Sequence, residues 1–223
     1  MMTNLFSVFD PSTSTNLSLN WLSMITCFLV MPMMYWVNLT PMNVMIKTLL
    51  TAITKEFAML LNFKTKNFLW FGVSLLIIIM VNNSLGLIPY IFTSTSHMSI
   101  TLSYALPLWL SFMLIGWITN FNHMMAHLIP QSTPMFLSVF MVLIEMTSNI
   151  IRPMTLAIRL ATNMVAGHLL LTLSGNMGQV LSYTKMSGVI LVQTLLMGLE
   201  IGVAFIQAYV YATLLTLYVK EVL

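Results

Sequence analysis

The stretch LAIRLATNMVAGHLLLTL, Leu156 to Leu173, is apolar enough to lie in lipid, yet it contains Arg159, Asn163 and His168. Glu145, Asn149 and Arg152 precede it, and Gln193, Glu200, Gln207, Tyr211 and Tyr218 follow in a second apolar run. Glutamate and histidine can take and release protons, whereas arginine keeps its charge under ordinary conditions. An ionisable group in lipid costs ~2.5–3.5 kcal/mol on insertion scales, far more than packing by leucine would require. The default reading of such a set is an ion pathway. Protonatable groups interrupted by a permanent cation make a gate, because a proton meets an electrostatic barrier there.

The spacing gives these groups an order. On one helix, Glu145, Asn149, Arg152, Arg159 and Asn163 fall on one stripe, with His168 well off it. On the next helix, Gln193, Glu200, Gln207, Tyr211 and Tyr218 form another stripe. Two antiparallel helices pair residues whose numbers have a constant sum. Arg159 with Gln207 and His168 with Glu200 have nearly equal sums, and half of either falls within Gly175 to Gly188, the expected turn. One register is therefore expected to place both pairs at matching depths. His168 and Glu200 then lie ~10–13 Å along the axes from Arg159, with Glu145 toward the opposite side.

The elements that position these groups must be membrane helices. Of 223 residues, 59% are hydrophobic and 6% charged, with mean hydropathy +0.94. A soluble fold this apolar could not cover its surface, since soluble domains run near one quarter charged. The apolar runs are long and unbroken, unlike barrel strands. The fold class expected is an all-α membrane protein with five membrane-crossing helices and one interfacial amphipathic helix. The crossings are predicted near 19–37, 68–88, 99–121, 135–173 and 189–219, in a single membrane domain over residues 1–223. Between them, 43–62 places Ile46, Leu49, Leu50, Ile53, Phe57, Leu60 and Leu61 on one face, and Lys47, Thr51, Thr54, Lys55 and Asn62 on the other. HMMAHLIPQSTP, His123 to Pro134, reads as a polar break.

The run from Met135 to Leu173 would be ~58 Å long as a helix, against a hydrocarbon core ~30 Å thick. The last two helices are thus expected as a long tilted antiparallel hairpin. Pro153 offers a bend, and Gly198, Gly202, Ala204, Ala208 and Ala212 offer close packing. Lys47, Lys55, Lys64 and Lys66 follow the first crossing and Lys220 follows the fifth, so the positive-inside rule puts the C-terminus on the synthesis side and the N-terminus on the translocated side.

The net charge of +3 is no nucleic-acid surface, since the basic residues are few and scattered. Cys27 is the only cysteine, which excludes an intrachain disulfide and a thiolate metal cluster. His123 and His127 have a metal-ligand spacing but no evident third ligand, so no metal and no cofactor are expected. MMTNLFSVFD has neither the basic start of a signal peptide nor the arginines of a transit peptide, and no cleavage is expected there. There is no P-loop, and no nucleotide is expected to bind.

IRPMTLAIRLATNMVAGHLLL, followed by LEIGVAFIQAYVYATLLTLYV, resembles subunit a of the F-type ATP synthase in its mitochondrial form. NNSLGLIPY, ALPLWL and HLIPQSTP extend the likeness over nearly the whole chain. The resemblance implies a proton-translocating stator subunit with no catalytic site of its own. It implies a multi-pass protein of the mitochondrial inner membrane, N-terminus toward the intermembrane space and C-terminus toward the matrix. It implies that Arg159 faces a ring of c subunits and attracts their ionised carboxylates. Glu200 and His168 match the half-channel open to the intermembrane space, and Glu145 an acidic group of the matrix half-channel. Asn163 and Gln207 match the polar neighbours of the arginine. Bacterial members can carry an acid where this chain has His168 and a histidine where it has Glu200, an exchange that keeps the pair. Partners implied are the c-subunit ring, the peripheral stalk and other membrane-sector subunits, and lipid. Arg152 matches no required residue. Two rival classes remain at this stage. A passive channel would need a continuous polar lining, and a structural membrane subunit would not need protonatable groups flanking an arginine.

Overall fold

The computed structural model describes residues 5–14, 16–30, 40–61, 68–129, 134–180 and 183–222, and the regular elements among them are all helical. Two short 3-10 turns, Leu5–Phe9 and Leu19–Leu22, lead into α1, Ser23–Val30. The first expected crossing is helical over 19–30, and 31–37 lies outside the described residues. Then come α2 (Pro41–Leu60), α3 (Leu69–Gly86), α4 (Met98–Thr119), α5 (Phe121–Leu128), α6 (Met135–Val180) and α7 (Tyr183–Val222). Four helices among the described residues are long and apolar enough to cross a membrane: α3, α4, Leu137–Met177 of α6 and Met186–Lys220 of α7.

The amphipathic segment starts where its chemistry allows. Thr40 Oγ1 accepts the Asn43 N–H at 3.4 Å, and Pro41 occupies the first turn, where a missing N–H costs nothing. Phe57 is fully buried, while Lys47 and Lys55 are exposed. Leu49, on the same apolar face, is 55% exposed. Phe57 packs with Val73 and Leu76 of α3 and Ala212 of α7. α2 thus buries one narrow stripe against α3 and α7 and leaves the rest outward.

Small residues set the approach of α3 to α7. A Cβ on Gly72 would stand 2.8 Å from Thr216 Cγ2, so only glycine permits that spacing. Ala204, Ala208 and Ala212 are buried at the same seam, as expected of small residues in close helix packing. Gly198 and Gly202 correct the expectation: both are exposed, and an added Cβ at either would meet nothing within 4 Å. They fall on the outward stripe of α7 with Leu195, Leu199 and Ile206.

Two expected breaks are partly helical. α5 covers the first half of the predicted polar break, to Leu128, because FNHMMAHL is amphipathic and holds neither glycine nor proline, and 130–133 lies outside the described residues. The predicted turn, Gly175 to Gly188, is nearly all helix, since α6 runs to Val180 and α7 begins at Tyr183. Isolated glycines cost only about 1 kcal/mol each in a helix, so neighbours that favour helix carry it through. α6 therefore has 46 residues and α7 has 40. At 1.5 Å per residue, α6 measures ~69 Å, more than twice the ~30 Å of hydrocarbon. Pro153 is buried inside α6.

Two ends of the bundle are distinguishable. At one, Phe9 meets His168 edge-on at 6.3 Å, and Trp21 packs on Phe92 and His97. The N-terminal segment, the α3–α4 connection and α6 meet there. At the other, Leu61 shares a core cluster with Leu215 and Val219. The main core lies between, built from Ile79, Phe112, Leu156, Leu160 and Tyr211. Phe57→Ala should destabilise the bundle by ~3–5 kcal/mol, the usual cost of emptying a buried phenylalanine site, and Phe57→Leu by much less. Denaturation midpoints of the purified protein in detergent check this; equal midpoints for Phe57→Ala and wild type would show that α2 contributes no packing.

Candidate functional site

Three contacts fix the register of α6 against α7. Asn163 Nδ2 donates to Gln207 Oε1 at 3.2 Å. Next along, His168 Nε2 stands 4.0 Å from Glu200 Oε1. Further on, a Cβ on Gly175 would stand 3.4 Å from Gln193 Nε2. All three have nearly the same index sum, which is the signature of one unbroken antiparallel pairing. His168 and Glu200 thus come together as the spacing requires.

The Arg159–Gln207 pair does not form; Asn163 takes that place. Successive residues four apart on a helix differ by ~40° in direction. That rotation turns Asn163 inward while Arg159 stays on the outer stripe with Thr155, Thr162 and Ala166, all exposed. Among the described residues, no hydrogen bond or ion pair reaches the Arg159 guanidinium. Arg159 thus stands as a cation on the outer face of α6, without a counter-ion among the described residues.

Glu200 is buried, with 5% of its surface exposed, and its Oε1 has no hydrogen-bond partner among the described residues. Its carboxylate lies over Gly167, where a Cβ would stand 2.6 Å from Oε1 and 2.7 Å from Cδ. His168 Nε2 donates to the Gly86 carbonyl at 3.0 Å. Gly86 ends α3, so its carbonyl has no partner within the helix and is free to accept. At 4.0 Å, Nε2 and Glu200 are not hydrogen-bonded. A modest ring rotation would redirect the N–H from the carbonyl to the carboxylate, so His168 stands between two acceptors.

Sequence reasoning assigned no role to Gly86 or Gly167. The signal for Gly86 was its place just before Pro89, at a helix end with orphan carbonyls. For Gly167 it was a glycine adjacent to a histidine that needs a close neighbour.

Glu145 lies near the other end. Arg152 Nη2 is 3.8 Å from its Oε1, and the guanidinium sits 5.6 Å from the centre of the Tyr218 ring. Arg152, unassigned from sequence, is therefore the partner of Glu145. Both line a cleft of about 580 Å³ with Asn149, Trp109, Trp117 and Tyr218. Its volume is that of a ligand-sized pocket. Along α6, Glu145 is ~21 Å from Arg159 and His168 is ~13 Å on the opposite side. The chemistry available is therefore proton exchange at two separated stations, with a fixed cation between them.

Gly167→Ala should displace the Glu200 carboxylate and lower proton flux severalfold, whereas Gly188→Ala, with nothing within 4 Å of the added Cβ, should not. Flux per assembled complex in vesicles measures the difference, and equal flux for the two variants would mean the position of Glu200 is immaterial.

Residues 15–220 match the family model described as ATP synthase A chain. ATP synthase subunit a of Drosophila melanogaster is 55% identical over 223 residues, covering 100% of both chains. Its counterparts from Aedes aegypti and Locusta migratoria are 55% and 53% identical over 226 residues, again over 100% of both chains. An all-helical chain with long apolar helices, an exposed intramembrane arginine and flanking protonatable groups suits such a family. The chain belongs to the ATP synthase A chain family, the proton-translocating, non-catalytic subunits of that enzyme's membrane sector.

Proposed function

We propose that this chain forms two half-channels and passes protons to and from the carboxylates of a c-subunit ring, coupling proton flow to rotation and ATP synthesis. The observation that carries this reading is Arg159: exposed on the outer stripe of a membrane-length apolar helix, with no intrachain counter-ion among the described residues. A cation so placed calls for an anion from outside the chain, and a carboxylate carried past it by a ring meets that need. Glu200 and His168 form the station open to the intermembrane space. Glu145 forms the matrix station. Asn163 and Gln207 brace the hairpin beside the arginine.

The cycle follows from these roles. A proton reaching Glu200 or His168 passes to a ring carboxylate, which becomes neutral and can turn into lipid. After the turn, the carboxyl releases its proton toward Glu145 and the matrix. The ionised carboxylate then returns past Arg159, which stabilises it where an unpaired carboxylate would be costly. Arg159 also blocks direct passage between the stations, so a proton crosses only with the ring. The driving energy is ~2.3 kcal/mol per charge per 100 mV.

The chain sits in the mitochondrial inner membrane as a single membrane domain, with a fifth crossing over 19–37 and α2 flat on the matrix face. The N-terminus faces the intermembrane space and the C-terminus the matrix. The four lysines at 47, 55, 64 and 66 support this sense. Beyond the c ring, peripheral-stalk and other membrane-sector subunits are its partners.

Arg159→Ala should abolish coupled ATP synthesis, a loss of more than about a hundredfold, and leave a passive leak. Arg159→Lys keeps a cation but loses the planar fork and can deprotonate when buried, so it should couple poorly. Gln207→Ala removes a dipole and not a charge, and should cost less than about tenfold. Proton flux and ATP synthesis in vesicles test all three. Normal synthesis by Arg159→Ala would make the arginine structural and overturn this mechanism.

A further inference from the structure

The segment that precedes α1 reaches His168 from outside the α6–α7 hairpin. Its first turn, Leu5–Phe9, packs against α6. Within that turn Phe6 is 68% exposed, whereas Phe9 is half-buried and meets the His168 ring edge-on, with centres 6.3 Å apart and planes at 88°. Edge-to-face pairing at such a distance is a favoured arrangement of two aromatic rings. The residues that follow tie the turn in place. Asp10 Oδ1 accepts the backbone N–H of Ser12 at 3.1 Å and its hydroxyl at 2.8 Å, and the Asp10 carbonyl accepts Asn20 Nδ2 at 3.3 Å. Thr13 Oγ1 donates to the Leu17 carbonyl at 3.0 Å and accepts the Leu19 N–H at 3.4 Å. Trp21, next to Asn20, packs on Phe92 and His97.

The segment is thus anchored at two points, Trp21 on the α3–α4 connection and Phe9 on α6, and the Asp10 turn draws the two together. This bears on His168. Its Nε2 is 3.0 Å from the Gly86 carbonyl and 4.0 Å from Glu200 Oε1, so a small rotation of the ring exchanges one acceptor for the other. The torsion that turns a histidine ring is broad and soft. One hydrogen bond at the rim leaves that rotation open. A second contact on the ring closes it, and among the described residues the aromatic ring that supplies this contact is Phe9.

We infer that Phe9 is a positioning residue: the first turn, tied at Asp10 and Trp21, holds the His168 ring on the Gly86 carbonyl and off the Glu200 carboxylate. This rests on the proposed proton station of His168 and Glu200 and adds what keeps the two apart. A hydrogen bond donated to a carboxylate favours its charged form. A ring free to swing onto Glu200 would therefore oppose protonation of that carboxylate. Held on the carbonyl, the ring leaves Glu200 Oε1 open, yet stands one short rotation from it. Phe9 handles no proton and acts only through His168.

Proton flux per assembled ATP synthase complex in vesicles tests this, with Phe9→Ala, Phe9→Tyr, and Phe9→Ala combined with His168→Gln. Phe9→Ala should lower flux severalfold, and Phe9→Tyr, which keeps the ring, should stay near wild type. In the His168→Gln background Phe9→Ala should cost nothing further. Undiminished flux in Phe9→Ala, an equal loss in Phe9→Tyr, or an equal loss with and without the imidazole each overturns the positioning role. If His168→Gln leaves too little flux to compare, nitrogen-15 spectra of the histidine-labelled complex decide, the His168 signal being the one that His168→Gln removes. Phe9→Ala should move that signal and Phe9→Tyr should not; a signal unmoved by Phe9→Ala overturns the role. If Phe9→Ala does not assemble, Phe9→Leu, apolar and without a flat ring, replaces it in both comparisons. Glu200→Gln in the same preparation separates the two readings. Lost flux there with undiminished flux in Phe9→Ala leaves the half-channel standing and removes only the role of Phe9; undiminished flux in Glu200→Gln removes the half-channel itself, and this role with it.

Discussion

A guanidinium on an apolar helix cannot lose its charge, so the surroundings must either pair it or leave it for something else to pair. This chain leaves it. Asn163 turns inward to Gln207, and Arg159 stays on the outer stripe without a described counter-ion. The neighbouring positions are consistent with that choice. Leu156, Ala157 and Leu160 are buried on the adjoining and far sides of the helix and hold it in the core, so the arginine cannot rotate inward without expelling them. Its exposure is thus a consequence of how α6 is packed.

The register of the hairpin carries the rest. Once Asn163 is bonded to Gln207, the antiparallel geometry places Glu200 beside Gly167 and His168. Gly167 matters because any side chain there would displace the carboxylate. Gly72 has the corresponding part between α3 and α7, and brings α3 close enough for the Gly86 carbonyl to reach His168. Missing side chains at two glycines and the carbonyl of a third thus help decide where the ionisable ones stand. α2, wedged by Phe57 against both α3 and α7, holds that spacing from one end.

Much of this was legible in the sequence because helices have a fixed period. Long apolar runs gave the helical class, and the constant index sum placed His168 against Glu200. What escaped had a local reason in each case. Arg159 and Asn163 share a coarse stripe, and only the ~40° between them decides which one faces the partner helix. The turn at 175–188 read as irregular because it holds three glycines, but each glycine costs little when the flanking helix is long. Gly198 and Gly202 looked like packing residues, yet small residues mark a close approach without saying to what. Which face of α7 is covered depends on α3 and α4, and no pattern within α7 encodes that. The Gly86 contact lies 82 positions from His168, beyond the reach of periodicity.

The two carboxyl groups, Glu145 and Glu200, differ in their partners. Glu145 stands beside Arg152, a group that cannot give up a proton. Glu200 stands beside His168, a group that can. A guanidinium keeps a fixed positive charge beside the Glu145 carboxyl, at the wall of the adjoining cleft. The imidazole beside the Glu200 carboxyl is instead a second exchangeable group, 4.0 Å away and bonded to the Gly86 carbonyl. The same residue type therefore stands in two chemically different settings. What distinguishes the ends is the neighbour: a guanidinium braced on Tyr218 at one, an imidazole poised between a helix-end carbonyl and a carboxylate at the other.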